Sequence, residues 1–431
     1  MSSCRPQRPS WRPVDGGKEG GRGPGKKVTS AANPVSRMAP LRITGQSIAC
    51  AAGLGLPAVA TALRTRASGL RQNDFGESPL PIWIGRVAGV EAIALPGHLA
   101  EWDCRNNRLA WLALTSDGFL ERARIARDRH GPDRVALVMG TSTSSIGATE
   151  EAYRRLLPDG QYPEDLRRPI VHTPHSLGDF VRAALGLEGI VVTVGTACSS
   201  SAKVFAQAER FMRLGLADAA VVGGVDTLCG SVLFGFNSLE LVSPEPCRPF
   251  DRARRGISIG EAGGFALLER DGEGGPWLLG YGESSDAHHM SSPHPQGLGA
   301  RLAIRHALER AGLTPDAIDY INLHGTASQK NDEVEARLVA GMFPARTLAS
   351  STKGWTGHTL GAAGIVEAAI TLLAMETGLV PGTLNAQDLD PVCGPQIRIE
   401  NTVADVRYAL SNSFGFGGSN CSLLFGQSRP G

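Results

Sequence analysis

The stretch Val194-Gly195-Thr196-Ala197-Cys198-Ser199-Ser200-Ser201 joins two segments of different periodicity. Before it, residues 189–194 form a short apolar run that predicts a buried strand. After it, apolar side chains recur at helical spacing until Gly215, where a glycine favours a helix end. The pattern therefore predicts that the chain turns from a strand into a helix at Cys198. Such units are typical of layered α/β folds.

A cysteine at a strand-to-helix turn is well placed to act as a nucleophile. Unpaired backbone N–H groups and the positive end of the helix dipole favour thiolate, so a lowered pKa is expected for the Cys198 thiol. The same N–H groups can stabilise an oxyanion once the sulfur attacks a carbonyl. A lone cysteine in such a place is more often a buried structural residue, so Cys198 needs further support.

Two histidines in the second half of the chain occur in matching contexts. They lie in Asn322-Leu-His324-Gly-Thr326-Ala-Ser328 and in Lys353-Gly-Trp-Thr-Gly-His358. Each follows an apolar, strand-like run, at residues 317–323 and 346–351. A single histidine is usually a packed or surface residue. Two in matching contexts, one of them five residues after a lysine, favour a catalytic set that includes Cys198.

This set resembles the Cys-His-His centre of the β-ketoacyl-acyl-carrier-protein synthases, the condensing enzymes of fatty-acid and polyketide assembly. The resemblance covers roughly residues 41–428 and includes Gly223-Gly-Val-Asp226, Arg248-Pro-Phe-Asp-Arg252, Gly260-Glu-Ala-Gly263 and Asn412-Ser-Phe-Gly-Phe-Gly-Gly-Ser-Asn420. It implies an α/β protein with the thiolase-like fold, in which duplicated halves form a five-layered αβαβα sandwich. Similarity between the halves is too weak to show the duplication directly.

The resemblance implies an acyltransferase (3-oxoacyl-acyl-carrier-protein synthase, EC 2.3.1 type). Cys198 would hold an acyl group as a thioester. Malonyl carrier protein would lose CO2, and its enolate would extend the acyl group by two carbons in a decarboxylative Claisen condensation. The implied partner is acyl carrier protein bearing acyl and malonyl groups. Phosphopantetheine arrives on that partner, and no cofactor or metal of the chain's own is implied.

Each site residue takes its expected role from the same resemblance. His324 and His358 would contact the malonyl thioester carbonyl and stabilise the enolate, while the backbone N–H groups of Cys198 and Phe416 would form the oxyanion hole. The remaining assignments are Lys353 as a charge near His324, Glu367 as its buried carboxylate neighbour, Thr326 and Ser328 as ligands of the pantetheine arm, and Phe416 as a gate between half-reactions.

Two weaker assignments stay open. Asp332 aligns with an acidic position of the family, although a solvated loop residue explains it equally well. The segment Gly140-Thr-Ser142-Thr-Ser-Ser145-Ile146 is placed to line the far end of the acyl pocket, where small side chains would leave room for a long or rigid chain. The histidine-containing loop at residues 286–294 matches a family loop over the pantetheine tunnel better than a metal cluster.

Three other kinds of protein share features with an elongating synthase. A thiolase would pair its nucleophile with one histidine and a second cysteine, and an initiating synthase would carry Asn at position 358. A non-catalytic partner subunit of the chain-length-factor type keeps the fold but loses the nucleophile, so the presence of Cys198 argues against it. Within the family, short motifs at residues 140–145, 255–261 and 353–358 look more like synthases of aryl-polyene-type clusters, which leaves both a homodimer and a heterodimer open.

Composition excludes several classes of protein. The 431 residues are 42% hydrophobic and include 54 glycines, which suits a globular protein with many tight turns. No apolar run approaches the ~20 residues that span a bilayer. Residues 1–40 hold eight basic and two acidic residues, whereas the remainder has a net charge of −5, which is not the pattern of a nucleic-acid-binding globule. Eight scattered cysteines without Cys-x-x-Cys spacing and no signal peptide favour a reducing cytoplasm.

Three segments are predicted along the chain. Residues 1–37 are rich in Pro, Gly and Arg and are predicted to be a disordered tail, with Met38 as the functional start. Residues 38–272 form the half with the nucleophile, and residues 273–431 form the half with both histidines. Strands are predicted near 41–49, 134–140, 189–195, 219–225, 262–269, 277–283, 317–323, 346–351, 396–401, 406–411 and 420–426, and residues 70–110 are predicted to be irregular.

Overall fold

The computed structural model describes residues 36–271 and 275–429. The strands in these ranges are β1 (Leu41–Cys50), β2 (Gly53–Leu54), β3 (Leu70–Gln72), β4 (Trp83–Gly85), β5 (Val135–Gly140), β6 (Val191–Val194), β7 (Ala219–Asp226), β8 (Ile259–Gly260), β9 (Ala262–Glu269), β10 (Trp277–Ser285), β11 (Tyr320–Asn322), β12 (Leu348–Ser350), β13 (Leu379–Val380), β14 (Thr402–Val403), β15 (Tyr408–Gly415) and β16 (Ser419–Gly426).

The α-helices of the same ranges alternate with these strands. They are α1 (Leu56–Thr65), α2 (Arg105–Thr115), α3 (Phe119–His130), α4 (Ile146–Arg154), α5 (Ser176–Leu185), α6 (Ser200–Arg213), α7 (Gly230–Ser238), α8 (Leu298–Ala311), α9 (Gln329–Met342), α10 (Lys353–Thr356) and α11 (Ala363–Thr377). Where strands and helices alternate, the helices that connect the strands pack on the faces of the sheet, which produces layers of helix and sheet.

The central sheet shows the duplication that sequence similarity alone does not. Its strand order is β12-β11-β15-β16-β10-β1-β9-β7-β5-β6. The five sheet strands of each half can be numbered 1 to 5 in chain order. From the edge of the sheet to its centre, both halves then show the same spatial order, 3-2-4-5-1. In both halves strand 2 pairs in parallel with strands 3 and 4, whereas strand 5 pairs antiparallel with strands 4 and 1. The halves meet where β1 pairs with β10, at Leu41↔Leu278 and Arg42↔Trp277.

Five layers follow from the helix contacts. Helices α6 and α11 lie between the two half-sheets: α6 contacts β5 and β7 on one side and β10 and β16 on the other, while α11 contacts β9 and β15. Helices α2, α3 and α5 cover the outer face of the first half-sheet. Helices α8 and α9 cover the outer face of the second. The predicted αβαβα sandwich is confirmed.

The central helix α11 is apolar on all sides because sheets and helices surround it. Its residues Ala363 to Met375 are all buried. The segment Leu360–Thr377 has the length and hydropathy of a membrane span, but 89% of it is buried inside the globule. A Cβ added at Gly364 would lie 2.4 Å from the backbone N of Ala202, so only glycine lets α11 approach α6 this closely. The stretch is a core helix.

Two predictions about secondary structure are wrong. Residues 396–401 form no strand; Ile397 makes one isolated bridge with Ala349, and the chain then leaves the edge of the sheet. Residues 70–110 are not irregular throughout, since they contain β3, β4 and the first turns of α2. The helix was missed because it begins with Arg105-Asn-Asn-Arg108, although Asn107 is buried and donates to the carbonyl of Trp102 at 2.9 Å.

The predicted tail falls outside the described residues except for residues 36 and 37, and the predicted seam at 272/273 falls within the undescribed residues 272–274. We expect deletion of residues 1–37 to leave the melting temperature and the activity unchanged. The first buried side chain of the described globule is Met38, whose N–H donates to the carbonyl of Arg310 at 3.0 Å. Thermal melting and a condensation assay check this expectation, and a large loss of either would show that the tail contributes to the globule.

Candidate active site

Cys198 lies in a tight turn between β6 and α6. The preceding residue, Ala197, has φ 51°, a left-handed conformation that costs energy for a residue other than glycine. The turn is closed by the hydroxyl of Ser200, which donates to the Ala197 carbonyl at 2.6 Å and accepts from the Thr196 N–H at 2.9 Å. The strained turn therefore holds the Cys198 side chain at the edge of a cavity, where it is only 5% exposed.

The structure brings both predicted histidines to this cysteine. Nε2 of His358 lies 3.0 Å from Sγ of Cys198. The rings of His324 and His358 meet edge to face, with centroids 5.4 Å apart. One donor atom from each of the three side chains lies within 4.8 Å of the other two, and all three residues are buried. A small carbonyl group placed between them would reach the sulfur and both imidazoles.

Backbone contacts position His358 between the two halves of the chain. Its N–H donates to the carbonyl of Ser258 at 2.7 Å, and its carbonyl accepts from the N–H of Gly260 at 2.9 Å. Three residues later, the N–H of Gly361 donates to Asp226 at 2.6 Å. Asp226 also accepts from the Ser142 N–H at 3.0 Å, so one buried carboxylate joins the His358 segment to the loop after β5.

His324 is held by an acidic residue that the sequence analysis did not identify. The carboxylate of Glu335, on α9, accepts from the N–H groups of His324 at 2.9 Å and of Gly325 at 2.8 Å. Burial raises the pKa of Glu335 to about 7, while these N–H donors act in the opposite direction. The signal was its helical spacing: Glu335 lies three residues after Asp332, so both carboxylates face the same loop.

Asp332 is fully buried, so the reading of it as a solvated loop residue is wrong. Its carboxylate accepts from the N–H groups of Phe250 at 2.8 Å, Thr326 at 3.0 Å and Ala327 at 3.1 Å. Burial raises its pKa, while these donors and Arg254 favour the charged form. The loop that follows His324 is therefore held against the first turn of α9 by hydrogen bonds to Asp332.

Lys353 and Glu367 form a buried ion pair beside the histidines. Their side chains are 1% and 3% exposed, and Nζ of Lys353 donates to the Glu367 carboxylate and to the carbonyl of His324. Burial raises the pKa of Glu367 to about 7, and the lysine charge opposes this shift. The pair therefore places the Lys353 ammonium group, beside its carboxylate partner, next to the imidazoles.

The Cys198 thiol does not have the lowered pKa that the sequence predicts. Burial raises the pKa of the Cys198 thiol to about 11, although the N–H of Phe416 and the charge of Lys353 act in the opposite direction. The expected lowering is not found, because full desolvation outweighs the donors at the turn. Burial and the charge of Lys353 lower the pKa of His324 and His358 well below 6.5. The site therefore pairs a neutral thiol with neutral imidazoles at pH 7.

The cavity in front of Cys198 has a volume of about 320 Å³ and opens past the predicted pantetheine ligands. Thr326 and Ser328 line it, and their hydroxyls lie 2.9 Å apart. Phe416 also lines it and stacks on Phe236 at 5.7 Å between ring centroids. The following residue, Gly417, has φ 76°, a conformation that glycine adopts without strain.

A second cavity of about 770 Å³ lies on the other side of the nucleophile turn. It is lined by Gly195 and Ala197 and by the loop after β5, which includes Ser142 and Ser145. The Ser142 hydroxyl donates to Asp226 at 2.8 Å, and the Ser145 hydroxyl donates to the carbonyl of Val171. The loop predicted to line the far end of the acyl pocket thus borders a cavity adjacent to Cys198.

Thiolate and imidazole are also ligands that Zn²⁺ prefers. The Cys198, His324 and His358 donor atoms are close enough to hold one metal ion. A metal there would occupy the sulfur lone pairs and would lie close to the ammonium group of Lys353.

The histidine-containing loop at residues 286–294 forms part of the cavity wall. Asp286 accepts from the Asn420 side chain at 2.8 Å and from the His294 N–H at 2.8 Å, so its carboxylate stabilises this wall.

Comparison with known proteins identifies the family. The profile described as "Beta-ketoacyl synthase, N-terminal domain" matches residues 105–273, and that described as "Beta-ketoacyl synthase, C-terminal domain" matches residues 277–387. Together they cover more than half of the chain.

Individual relatives agree with this match. Nodulation protein E of Rhizobium meliloti strain 1021 is 32% identical over 359 residues, which are 79% of this chain and 88% of that protein. A mitochondrial 3-oxoacyl-[acyl-carrier-protein] synthase of Arabidopsis thaliana is 41% identical over 262 residues, 56% of this chain and 57% of that protein. A ketosynthase from Xenorhabdus doucetiae, solved in complex with its chain length factor, superposes with a TM-score of 0.83 at 36% identity and covers 90% of this chain and 98% of its own. The chain belongs to the β-ketoacyl synthase family and is an acyltransferase of that family.

Proposed function

We propose that Cys198 is the nucleophile of a decarboxylative condensation between an acyl thioester and malonyl carrier protein. The observation that carries this proposal is the 3.0 Å contact between Cys198 Sγ and His358 Nε2. Because the thiol pKa is about 11, the sulfur needs a proton acceptor in order to attack at neutral pH. The sulfur bonds to the acyl carbon, its proton passes to His358, and the pantetheine thiol leaves with a proton.

The oxyanion of this step would lie against two backbone N–H groups. The N–H of Phe416 points at Cys198 Sγ. A Cβ added at Gly415 would lie 3.2 Å from the backbone N of Cys198, so the segment before Phe416 is in contact with the nucleophile turn. Donors fixed in a buried site stabilise developing charge without reorganisation. This is the role that the resemblance gives to these two N–H groups.

In the second half-reaction the imidazoles would stabilise the enolate formed by loss of CO2. Both rings are neutral, and each can donate one N–H to the malonyl thioester carbonyl. Lys353 would stabilise the negative charge that develops there and keep the rings in the neutral form. The Cα of the enolate then attacks the acyl carbon, and the Cys198 thiolate leaves and takes up one proton from solvent.

The mouth of the first cavity fits an acidic carrier protein. Thr326 and Ser328 would bind the pantetheine arm there, and no cofactor of the chain's own is proposed. Arg255 and Lys330 also line this mouth with side chains 60% and 75% exposed, and each lies near a glutamate, Glu245 at 3.3 Å and Glu333 at 3.8 Å. Opposite charge at such a rim mainly speeds association. A condensation assay with acyl and malonyl carrier proteins, read out as β-ketoacyl product by mass spectrometry, tests the proposed function.

A non-catalytic chain-length-factor-type subunit is the second candidate, and the geometry disfavours it. Such a subunit needs no nucleophile, whereas here Cys198 and two imidazoles converge within 4.8 Å in a buried site. The solved ketosynthase of Xenorhabdus doucetiae is bound to its own chain length factor. We propose that this chain acts as the catalytic subunit, in an aryl-polyene-type pathway and in a reducing, cytoplasmic compartment. Copurification with a related subunit would distinguish a heterodimer from a homodimer.

Strand β6 offers an edge for dimerisation. It is the last strand of the central sheet and pairs with β5 in the described part of the chain. The carbonyl of Ile190 accepts from Leu137 in β5 and that of Val194 accepts from Thr141, directly after β5. The alternate residues Val191 and Thr193 therefore direct their backbone groups outward. An apolar edge strand of this kind favours pairing with another chain.

We expect light scattering to report a dimer and Val191→Pro to shift it towards monomer, because proline removes the outward N–H of that edge. Proline at the first position of an edge strand leaves the pairing with β5 in place. Val191→Ala is the control and should remain dimeric. A monomeric wild type, or a dimer unaffected by the proline, would show that this edge is not the interface.

The neutral imidazoles are expected to add no titration in the neutral range. Because the pKa of His324 and His358 lies well below 6.5, their neutral forms persist as the pH falls from 8 to 6.5. Glu335 and Glu367, whose pKa is about 7, do titrate in this interval. In a Glu335→Gln, Glu367→Gln double variant the rate of CO2 release from malonyl carrier protein should therefore stay constant between pH 8 and 6.5. An acid limb of that variant with its midpoint at or above pH 6.5 would be incompatible with neutral imidazoles.

A further inference from the structure

Asp226, at the end of β7, is a buried carboxylate that accepts hydrogen bonds from two separate segments. Its oxygens accept from the hydroxyls of Thr141 at 2.6 Å, Ser142 at 2.8 Å and Thr143 at 2.7 Å. They also accept from the N–H groups of Ser142 at 3.0 Å, Thr143 at 2.8 Å and Gly361 at 2.6 Å. Such donors satisfy the charge of a buried carboxylate. Asp226 therefore joins the loop after β5 to the turn that follows His358.

This turn is strained and packed directly against the loop. Leu360, the residue before Gly361, has φ 55° and a buried side chain. A leucine in this left-handed conformation costs energy, so it persists only where its surroundings hold it. A Cβ added at Gly361 would lie 2.6 Å from Oδ2 of Asp226 and 2.6 Å from the backbone N of Ser142. The hydrogen bond from Gly361 to Asp226 thus restrains the turn in its strained form.

The position of the His358 ring depends on its backbone. Within the part of the chain that the structure describes, the buried Nδ1 of this ring has no hydrogen-bond partner. Hydrogen bonds with the segment that contains β8 hold the backbone of His358 itself, and the contact of Gly361 with Asp226 holds the turn after it. Nε2 of the ring lies 3.0 Å from Cys198 Sγ. A displacement of about 1 Å at such a group can cost about 10²-fold in rate.

We propose that Asp226 is a positioning residue for acylation, which holds the turn after His358 so that the imidazole meets the Cys198 thiol. Asp226 lines neither cavity, so it acts through His358 and not on the substrate. The inference rests on the proposed function, because it requires that His358 takes the proton of Cys198. It deepens that function by naming the residue that aligns the proton acceptor.

Asp226→Asn tests this role because it keeps the shape of the side chain and turns one acceptor into a donor. Oδ1 accepts from the hydroxyls of Thr141 and Thr143 and from the Thr143 N–H, so the amide oxygen should take this place. The NH2 group should then face the Gly361 N–H, which now donates to Oδ2 at 2.6 Å. Two donors cannot bond to each other, so the turn after His358 should move away.

The experiment is a double-mutant cycle on single-turnover acylation of the full chain, read out by intact mass. Butanoyl, octanoyl and benzoyl carrier proteins are tried, and the fastest is used. At pH 7, Asp226→Asn should slow acylation by about 10–100-fold when His358 is present. In the His358→Ala background it should cause no further loss, because the imidazole on which Asp226 acts is absent. As the pH rises towards the thiol pKa of about 11, the loss should shrink.

A milder variant and a control accompany the cycle. Thr143→Val removes only one hydroxyl donor, at 2.7 Å from Asp226, so it should give a smaller loss that also disappears in His358→Ala. It decides the question if Asp226→Asn does not fold by circular dichroism. Asp117→Asn is the matched control, because Asp117 accepts from N–H groups of β1 at 3.3 Å and α1 at 2.8 Å and lines neither cavity. It should acylate at the wild-type rate.

The outcomes separate this inference from the proposed function. Equal losses from Asp226→Asn in the two backgrounds, or no loss in either, would overturn the positioning role and leave the proposed function standing. Acylation of His358→Ala at the wild-type rate would overturn the proton transfer to His358 and this inference together. A wild-type chain that takes no acyl group from any of the three carrier proteins would overturn both as well.

Discussion

We expect Cys198→Ala to abolish condensation, with a loss of at least about 10³-fold, while the protein stays folded. Cys198 is the only cysteine that lines the first cavity in the described part of the chain, so no other thiol can replace it there. Its side chain borders existing space, so its truncation enlarges a cavity and creates no new void. Condensation product by mass spectrometry and thermal melting by circular dichroism check both parts.

The same variant separates the two half-reactions. His324 and His358 remain in place in Cys198→Ala, so CO2 release from malonyl carrier protein should persist when condensation is lost. Cys50→Ala is a matched control: Cys50 is also buried, at 1% exposure, but lies in β1. It should condense at the wild-type rate. Unchanged product formation by Cys198→Ala would contradict the assignment of the nucleophile.

The histidine variants are expected to fail at different steps. His324→Ala should slow CO2 release by about 10²–10³-fold, the usual cost of one lost oxyanion donor, and should leave acylation near the wild-type rate. His358→Ala should slow CO2 release similarly and should also slow acylation, because His358 Nε2 is the atom 3.0 Å from the neutral thiol. Rapid-quench single-turnover kinetics measure acylation, and a CO2-release assay measures decarboxylation separately.

Acylation at high pH distinguishes this division of labour from a general loss of structure. As the pH approaches the thiol pKa of about 11, the sulfur ionises without a base, so the acylation defect of His358→Ala should shrink. A structural defect would not recover in this way. Equal acylation by both histidine variants at pH 7 would show that His358 has no part in deprotonating Cys198.

Local sequence signals were sufficient to single out the three side chains that the structure brings together in the candidate site. The change from an apolar run to a helical pattern located Cys198, and matching strand exits located His324 and His358. The family resemblance then assigned Phe416 to the oxyanion hole, and the structure places its N–H at Cys198. These features depend on neighbouring residues, so a linear pattern contains them. The repeated 3-2-4-5-1 strand order is formed by pairing between strands that are distant in sequence, and the two halves share little sequence similarity. Only the structure therefore shows the duplication.

The missed features depend on burial by residues distant in sequence. From the sequence, a solvated loop residue explains Asp332 as well as a family acidic position does, and only the packing of the Phe250 segment against it removes it from solvent. Glu335 lies within a charged stretch, and its contact with the His324 N–H is made by the fold. The direction of the Cys198 pKa shift is also non-local, because the turn predicts a decrease and the surrounding layers produce an increase.

The central claim is that Cys198 carries the acyl group as a covalent thioester. Intact mass of the chain after incubation with an acyl carrier protein, followed by peptide mapping, tests it most directly. We predict a mass increase equal to one acyl group per chain, located on the peptide that contains Cys198 and absent from Cys198→Ala. The same increase on another residue, or an undiminished increase in Cys198→Ala, would contradict the claim.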